Sequence, residues 1–101
     1  MVIVNENTQS SAEFSTMIFQ TIPGCITIGS QTAGADGNVS EFYLPGNIRT
    51  RISGLGVYYP DGTETQRVGV HIDEIVKPTV AGIKAGRDEL YERAVEIIKF
   101  R

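Results

Sequence analysis

The chain has 101 residues, of which 41% are apolar and 21% charged, and a formal net charge of −3 at pH 7. This composition excludes a disordered or coiled-coil protein and predicts one globular unit over residues 1–101. The negative charge argues against nucleic acid as a partner. One cysteine and one histidine exclude an internal disulfide and a cysteine-based or multi-histidine metal site, so we expect neither metal nor cofactor.

The first third of the chain predicts a strand, a helix, a second strand and a loop. A short apolar run indicates a strand at Val2–Val4, and the 3.6-residue period of one helix face runs over Ser11–Ile22 until Pro23-Gly24 ends it. The residues on that face are Phe14, Met17, Ile18 and Ile22. A second β-rich run covers Cys25–Ile28, and the Gly, Ser and Thr of Gly29–Gly37 are typical of a loop.

The middle of the chain predicts a hairpin and a further strand. Val39–Leu44 and Ile48–Ser53 flank Pro45-Gly46, where proline presets one turn position and glycine supplies a positive φ at the next. A turn is expected at Pro60-Asp61-Gly62. Alternating apolar residues then favour a strand over Gln66–Ile72.

The clearest helix is expected over Arg87–Phe100. Its apolar stripe consists of Leu90, Ala94, Ile97 and Ile98. Asp88 and Glu89 lie in its first turn, where the helix dipole favours acidic side chains. Taken together, the elements predict an α/β protein with a small mixed sheet and two main helices, at about 11–22 and 87–100.

The turn between the first strand and the first helix could carry chemistry through Ser10. A serine at a helix start faces the unpaired N–H groups of the first turn, which can stabilise an oxyanion formed by attack on a carbonyl. Strand-turn-helix presentation of a nucleophile recurs in unrelated hydrolases. The alternative is structural: Ser10 and Glu13 have the spacing of a capping box, in which the serine only satisfies backbone donors.

Five segments of the chain carry a resemblance to a known family. In order they are residues 8–13 (TQSSAE), 29–34 (GSQTAG), 59–70 (YPDGTETQRVGV), 77–79 (KPT) and 82–90 (GIKAGRDEL). Together they resemble the C-terminal half of the catalytic domain of the C-terminal processing (tail-specific) serine peptidases. The resemblance implies a fold of the ClpP/crotonase type, built from β-β-α layers, and an upstream half of the domain that this sequence does not include.

The resemblance also implies roles for two neighbouring serines. The family pattern T-x-S-x-x-E places the nucleophile on Ser10 rather than on Ser11. The backbone N–H of Ser11 would then form part of the oxyanion hole, together with a donor from the missing half.

The general base departs from the family's commonest pattern. Many members use a lysine about 25 residues after the serine, but this chain has Ala35 there, so a dyad with a lysine at that position is excluded. Asp36 is a poor substitute, because a carboxylate of ordinary pKa is a weak base for a serine hydroxyl. Other relatives use an upstream histidine and a downstream acid, which makes Glu64 and Gln66 candidates for orienting such a histidine; the alternative is that both are surface residues.

Four further residues have a functional and a structural interpretation. His71 is interpreted as a strand residue rather than the base, and Cys25 as a buried small apolar residue rather than a reactive thiol. Arg49 and Arg51 share a strand face and could hold a peptide carboxylate, although a solvated face is the commoner case. The loop Gly29–Gly37 contains no Lys or Arg and no helix follows it, which excludes a phosphate-binding loop.

The sequence therefore predicts a serine-type endopeptidase fragment acting on protein or peptide substrates. Without its base a serine is a poor nucleophile at neutral pH, so we expect the chain alone to be inactive or nearly so. The alternative is a non-catalytic relative that acts as a binding or self-associating module. Removing half of a layered domain exposes a sheet edge and an apolar face, which predicts self-association. The resemblance suggests the bacterial cell envelope or periplasm as the compartment.

Overall fold

The computed structural model describes residues 1–100, which form two small sheets and three helices. In chain order the elements are β1 Val2–Val4, α1 Ser11–Gln20, β2 Thr27–Gly29, β3 Val39–Leu44, β4 Ile48–Ser53, β5 Glu74–Ile75, α2 Val80–Lys84 and α3 Glu89–Lys99. The predicted α/β class is confirmed, and so are its two main helices. The longest helix has 11 residues, and none within residues 1–100 has the length and apolar character needed to cross a membrane.

The larger sheet has three parallel strands in the order β1-β2-β5. β1 pairs with β2 from Val2↔Thr27 to Val4↔Gly29, and β2 pairs with β5 at Ile28↔Glu74. Because all three strands run the same way, their carboxyl ends meet at one edge, which is where parallel α/β sheets place their sites. The β1–α1 turn and the loop after β2 both begin there.

The core is small and lies between this sheet and α1. It consists of Val4, Met17 and Val70, with half-buried Val57 and Ile72 packed around it. The helix α3 contacts β1 and β2, and Ala94 is its buried residue. Residues 1–100 extend over 57 × 36 × 15 Å, and the shortest of these dimensions leaves room for little more than one sheet with its helices.

The smaller sheet is the antiparallel hairpin β3–β4, with the predicted bounds. The register runs from Val39↔Ser53 to Leu44↔Ile48, and every residue of both strands is exposed except half-buried Thr50. Gly46 has a φ of 89°, as the turn chemistry predicts, and Asn47 follows with a φ of 61°. The hairpin is therefore specified by its own turn and pairing rather than by burial.

The strand predicted at Gln66–Ile72 is wrong. Arg67 and Gly69 have φ values of 68° and 89°, which are incompatible with a strand, and the N–H groups of Val68 and Gly69 turn back to the Thr65 carbonyl oxygen. Val70 is buried whereas Val68 is exposed. The alternating apolar residues of this segment therefore do not form one buried sheet face, and Val70 alone packs into the core.

Three smaller differences concern element ends and short elements. The helix α1 ends at Gln20, two residues before the predicted Ile22, because the N–H groups of Thr21 and Ile22 form tighter bonds to carbonyl oxygens three residues back. The helix α3 begins after Asp88, whose side chain accepts from the Tyr91 N–H at 3.0 Å. The two-residue β5 and the five-residue α2 have no counterpart among the predicted elements, because both are too short for a periodic pattern.

Candidate active site

Ser10 has a strained backbone conformation at the end of the turn that connects β1 to α1. It is exposed, it is the N-cap residue of α1, and its backbone dihedrals are φ 54° and ψ −123°. A positive φ in a residue other than glycine is strained, and such strain concentrates at functional sites. A serine on a sharp, strained strand-to-helix turn is also the arrangement that exposes the nucleophile in α/β-hydrolases.

The turn before Ser10 is fixed by its own polar side chains. The backbone N–H of Asn7 donates to Asn5 Oδ1 at 3.0 Å, and that of Asn5 donates to Thr8 Oγ1 at 3.1 Å. The Thr8 N–H closes the turn on the Asn5 carbonyl oxygen. Asparagine and threonine favour such local bonds, so the sequence from 5 to 9 reverses the chain without a glycine.

Glu13 is the central acceptor of the site, and its carboxylate has no exposed surface. One oxygen, Oε2, accepts from the N–H groups of Ser10 and Ala35, at 3.0 Å each. The other, Oε1, accepts from the Thr32 hydroxyl at 2.6 Å and from the Gly34 N–H at 2.7 Å. Burying a neutral polar group without a hydrogen bond costs about 2–7 kcal/mol, and burying an unpaired charge costs more. The four donors offset this cost for the Glu13 carboxylate.

The capping-box spacing revealed only the local half of this arrangement. Ser10 and Glu13 do occupy capping-box positions, and the firm hydrogen bond of the pair runs from the Ser10 N–H to the glutamate. The bonds from Glu13 to the loop after β2 link residues about 20 positions apart, and no local pattern signals them.

The start of α1 provides a backbone donor beside Ser10. The Ala12 N–H is bonded to the Gln9 carbonyl oxygen at 3.2 Å and the Phe14 N–H to that of Ser10 at 3.1 Å. Within residues 1–100, the Ser11 N–H has no acceptor. It is therefore free to donate to an oxygen arriving at Ser10, with the positive end of the helix dipole behind it.

Two loops pack against the Ser10 turn. The Ala33 N–H donates to the Thr8 carbonyl oxygen at 2.9 Å, and the Thr32 hydroxyl accepts from the Val70 N–H at 3.0 Å. A Cβ on Gly34 would lie 2.9 Å from the backbone of Arg67, so only glycine allows this approach. The site is thus assembled from three separate stretches around residues 5–13, 30–37 and 65–70.

Ala35, at the position where the resemblance would place a lysine, lies beside Ser10. Its N–H and that of Ser10 are each 3.0 Å from the same oxygen of Glu13, so the two nitrogens are at most twice that distance apart. A methyl group cannot take a proton, so this neighbour supplies no base. The adjacent Asp36 is only 4% exposed; its Oδ1 accepts from the Gly37 N–H, and its Oδ2 has no partner within residues 1–100.

Gln66 and Glu64 differ in where their side chains are held. Gln66 is half-buried, and its Nε2 donates to the carbonyl oxygens of Asp36 and Leu55, both at 2.7 Å. The structure therefore fastens Gln66 to the loop that borders Ser10. The Glu64 carboxylate oxygen Oε2 instead lies 3.5 Å from Nη2 of Arg67, three residues along the same loop.

His71 lies at the opposite end of α1 from Ser10. Its carbonyl oxygen accepts from Gln20 Nε2 at 2.8 Å, and Gln20 is the last residue of α1. A ten-residue helix is about 15 Å long, so His71 is too distant to act as the base for Ser10. It belongs to no strand, which corrects that part of its interpretation.

A groove lies at this far end of α1, with a volume of about 770 Å³. Cys25 lines it and is half-buried rather than buried as expected. The Tyr59 hydroxyl donates to Gln20 Oε1 at 2.7 Å and accepts from the His71 N–H at 2.9 Å, and burial raises the pKa of Tyr59. These contacts stabilise the end of α1, away from the site.

The charge at the Ser10 edge of the sheet is mainly acidic. Glu6 lies in the turn before Ser10, where backbone hydrogen bonding, then a bond from the Ser30 hydroxyl at 3.1 Å, and the charge of Lys77 lower the pKa of its carboxyl. Buried Glu13 and Asp36 lie on the same side of the molecule. Lys77 is a cation close enough to act on Glu6, so this edge carries charge of both signs.

Comparison with known families identifies the chain. The family model described as "Peptidase family S41" matches residues 1–76. The chain belongs to peptidase family S41. The match covers β1, α1, the Glu13 contacts and both loops that border Ser10. Among curated proteins, none matches this chain.

Solved structures share the fold. A protein of Parabacteroides merdae ATCC 43184, taken to be a peptidase, is 25% identical with a TM-score of 0.88 over 95% of this chain and 30% of its own. Mature CPAF complexed with lactacystin is 23% identical with a TM-score of 0.76 over 97% of this chain and 19% of its own. The chain thus spans less than a third of either relative, and the likeness to CPAF is one of fold.

Proposed function

We propose that this member of peptidase family S41 carries the nucleophile and part of the oxyanion hole of a serine-type endopeptidase of the C-terminal processing type. The observation that carries the proposal is the exposed Ser10 at φ 54° on a strand-turn-helix, with the unpaired Ser11 N–H next to it. The resemblance adds a ClpP/crotonase-type fold and a place in the bacterial cell envelope as parts of the same proposal.

In the proposed reaction the Ser10 hydroxyl oxygen attacks the scissile carbonyl carbon. Its proton passes to a general base and then to the leaving amine, and the carbonyl oxygen becomes an oxyanion that accepts from the Ser11 N–H. The tetrahedral intermediate then collapses, the C–N bond breaks and the amine leaves, which gives an ester on Ser10. Water attacks this ester, releases the acid product and restores the serine. One oxyanion donor of this kind is worth about 10²–10³ in rate.

The base would come from the remainder of a longer peptidase, as a histidine in the manner of some relatives. His71 is at the wrong end of α1, and Ala35 cannot serve. Of the two candidate orienting residues, the contacts favour Gln66, since its amide oxygen remains available as an acceptor while Glu64 faces Arg67. With no base in place, we expect the 101-residue chain to hydrolyse protein slowly or not at all.

Covalent labelling tests the nucleophile. A fluorophosphonate reacts with an activated serine, and the chain should be labelled at Ser10, strongly in the presence of a complementing upstream half. Ser10→Ala should abolish labelling, whereas Ser11→Ala should preserve it, because only the backbone N–H of Ser11 is used. Equal labelling of wild type and Ser10→Ala would remove the proposal, as would robust proteolysis by the chain alone that survives Ser10→Ala.

A second candidate function is a non-catalytic binding or self-associating module. Two observations favour it: the side chain at position 35 is a methyl group, and large apolar side chains such as Phe14, Ile18 and Phe19 are about half exposed on one helix, α1. Sedimentation velocity over a range of concentrations, combined with serine labelling, distinguishes the two. A dimer that forms at low micromolar concentration and shows no serine labelling supports the module, whereas labelling at Ser10 of either monomer or dimer supports the peptidase.

A further inference from the structure

The sequence contains two Asp–Gly bonds, Asp36–Gly37 and Asp61–Gly62. Such a bond can cyclise, because the backbone nitrogen of a glycine is not shielded by a side chain and can attack the carboxyl carbon of the preceding aspartate. The product is a five-membered succinimide ring, which water reopens to aspartate or to isoaspartate. The two bonds have different surroundings in the fold, and those surroundings set how readily each one reacts.

We infer that Asp36 is a site of spontaneous succinimide formation and isomerisation, and that the fold makes it react faster than Asp61. The Gly37 N–H donates to Asp36 Oδ1, with 2.8 Å between nitrogen and oxygen. Since a carboxyl C–O bond is about 1.2 Å long, the same nitrogen is at most about 4 Å from the carbon that it would attack. Proximity of this kind accelerates an intramolecular reaction.

The second carboxyl oxygen of Asp36 is free to leave. Asp36 is only 4% exposed, and its Oδ2 is buried without a hydrogen-bond partner among residues 1–100. In the cyclisation, the Gly37 nitrogen gives up its proton and bonds to the carboxyl carbon, and the C–OH bond of the neutral carboxyl group breaks. The hydroxyl and the proton from the nitrogen leave together as water. No donor in the described part of the chain holds Oδ2, so none has to be displaced.

Gln66 assists the attacking nitrogen. Its Nε2 donates at 2.7 Å to the Asp36 carbonyl oxygen, which belongs to the same peptide group as the Gly37 nitrogen. When that nitrogen loses its proton, negative charge spreads onto the carbonyl oxygen, and a donor already aligned with this oxygen stabilises the charge. Gln66 is fixed in this position, because Nε2 also donates to the Leu55 carbonyl oxygen at 2.7 Å.

Packing also selects the glycine that makes the bond reactive. Gly37 has a φ of 112°, and a Cβ there would lie 2.5 Å from the Leu55 carbonyl oxygen. A larger residue, which would shield the nitrogen, is therefore excluded from position 37. Ala35 and Asn38, on either side of the bond, are exposed, so water reaches the segment to reopen the ring.

Both groups of the Asp61–Gly62 bond are engaged elsewhere. Asp61 Oδ1 accepts from the Thr63 N–H at 2.9 Å, while the Gly62 N–H donates to the Tyr59 carbonyl oxygen at 2.8 Å. Hydrogen bonds from the Thr63 backbone and then from its side chain lower the pKa of Asp61. The Asp61 carboxyl group is therefore less often in the neutral form that can lose water.

Isomerisation at Asp36 would alter the loop that borders Ser10. An isoaspartate inserts an additional carbon atom into the backbone and moves the carbonyl oxygen that Gln66 binds. The change acts next to Ala35, whose N–H is bonded to the buried Glu13 carboxylate. The inference does not depend on the proposed function, because the reaction needs no other reactant than water.

Ageing the folded 101-residue chain in water enriched in oxygen-18 tests the inference. Each ring opening adds one heavy oxygen atom to residue 36 or 61, whether aspartate or isoaspartate forms. Trypsin cuts after Arg49, Arg51 and Arg67, so Asp36 and Asp61 lie on different peptides, residues 1–49 and 52–67, and fragmentation mass spectrometry locates the label. Labelling at Asp36 should be about tenfold faster than labelling at Asp61.

The unfolded chain is the matched control. In concentrated urea both Asp–Gly bonds lose the contacts that distinguish them, so the two labelling rates should become similar. A folded-state rate at Asp36 that is equal to or below the rate at Asp61 overturns the inference. A ratio of the two rates that is the same in folded and unfolded chains overturns it as well, because the fold would then make no difference.

The variant Gln66→Met tests the assisting donor. Methionine has a similar length but cannot donate to the Asp36 carbonyl oxygen, so labelling at Asp36 should slow while labelling at Asp61 stays unchanged. An unchanged rate at Asp36 in a variant that a thermal melt shows to be folded would remove the role of Gln66. If the variant does not fold, the wild-type comparison with urea decides the inference by itself.

Discussion

The loops around Glu13 and the hairpin β3–β4 are built in opposite ways. The loops are held together by hydrogen bonds from one hydroxyl and two backbone N–H groups, which span 19 to 22 residues and end on one buried carboxylate. The hairpin is held by neighbouring strands and its own three-residue turn, with almost every side chain in solvent. The difference shows that the candidate site depends on long-range polar contacts, whereas the hairpin is specified by local turn chemistry and strand pairing.

Removing the Glu13 carboxylate should reduce the free energy of unfolding more than any other change proposed for the two regions. A small reduction would contradict the contrast between the loops and the hairpin. Glu13→Ala leaves four donors without their acceptor, of which those of Thr32 and Gly34 are buried, and we expect a loss of about 4 kcal/mol in the free energy of unfolding. Urea denaturation followed by circular dichroism measures it. The control Glu96→Ala removes an exposed glutamate of α3 and should change stability little. A similar small loss in both variants would mean that the loops do not depend on Glu13.

Glycine substitutions compare the end of β2, from which the loop to Glu13 starts, with the hairpin turn. Gly29 has a φ of 128°, and a Cβ there would collide with the Val4 carbonyl oxygen, so Gly29→Ala should cost about 3 kcal/mol through backbone strain and a broken β1–β2 pairing. Gly46 in the hairpin turn also has a positive φ, but nothing lies within 4 Å of its Cβ position. Gly46→Ala should therefore cost only about 1 kcal/mol. Equal losses in urea unfolding would contradict the packing difference.

Acid should weaken the sheet edge through Glu74. Its pKa lies below the usual 4.5 because the Arg93 guanidinium binds it, so the folded state holds this proton less readily than the unfolded state. The sign follows: the stabilisation is present above pH 4.5 and is lost as the pH falls through the lower folded value. Glu74→Gln should flatten the pH dependence of unfolding below pH 4.5. If Glu74→Gln, or the double variant Glu74→Gln with Arg93→Gln, kept the wild-type pH dependence of the free energy of unfolding, the Glu74–Arg93 pair would not be the source of that dependence.

The smallest effect is expected in the hairpin. Arg49 and Glu41 form a two-point ion pair, but both side chains are largely exposed, and such pairs contribute little. Arg49→Ala should change the free energy of unfolding by less than about 0.5 kcal/mol, measured in the same urea titration. A loss above about 1 kcal/mol would show that the hairpin is coupled to the rest of the chain.

The same contrast explains what the sequence could predict. The hairpin bounds, the helix α3 and the placement of Ser10 at a helix start follow from turn residues, periodicity and capping residues, which act within a few positions. The gathering of Thr32, Gly34 and Ala35 on Glu13 does not, because it depends on where β2 delivers its loop. The strand predicted at Gln66–Ile72 was wrong because tertiary contacts also decide this segment. Val70 is buried as a single residue rather than as part of a sheet face, and the positive φ values of Arg67 and Gly69 turn the backbone.

The turn at the tip of the hairpin is a suitable place to insert or attach a probe. Pro45, Gly46 and Asn47 are exposed, and the empty space around Gly46 means that added atoms meet no neighbour. Exposed turns of this kind tolerate insertions best. A short affinity tag or a fluorophore attached there would leave the core and the contacts of Glu13 intact.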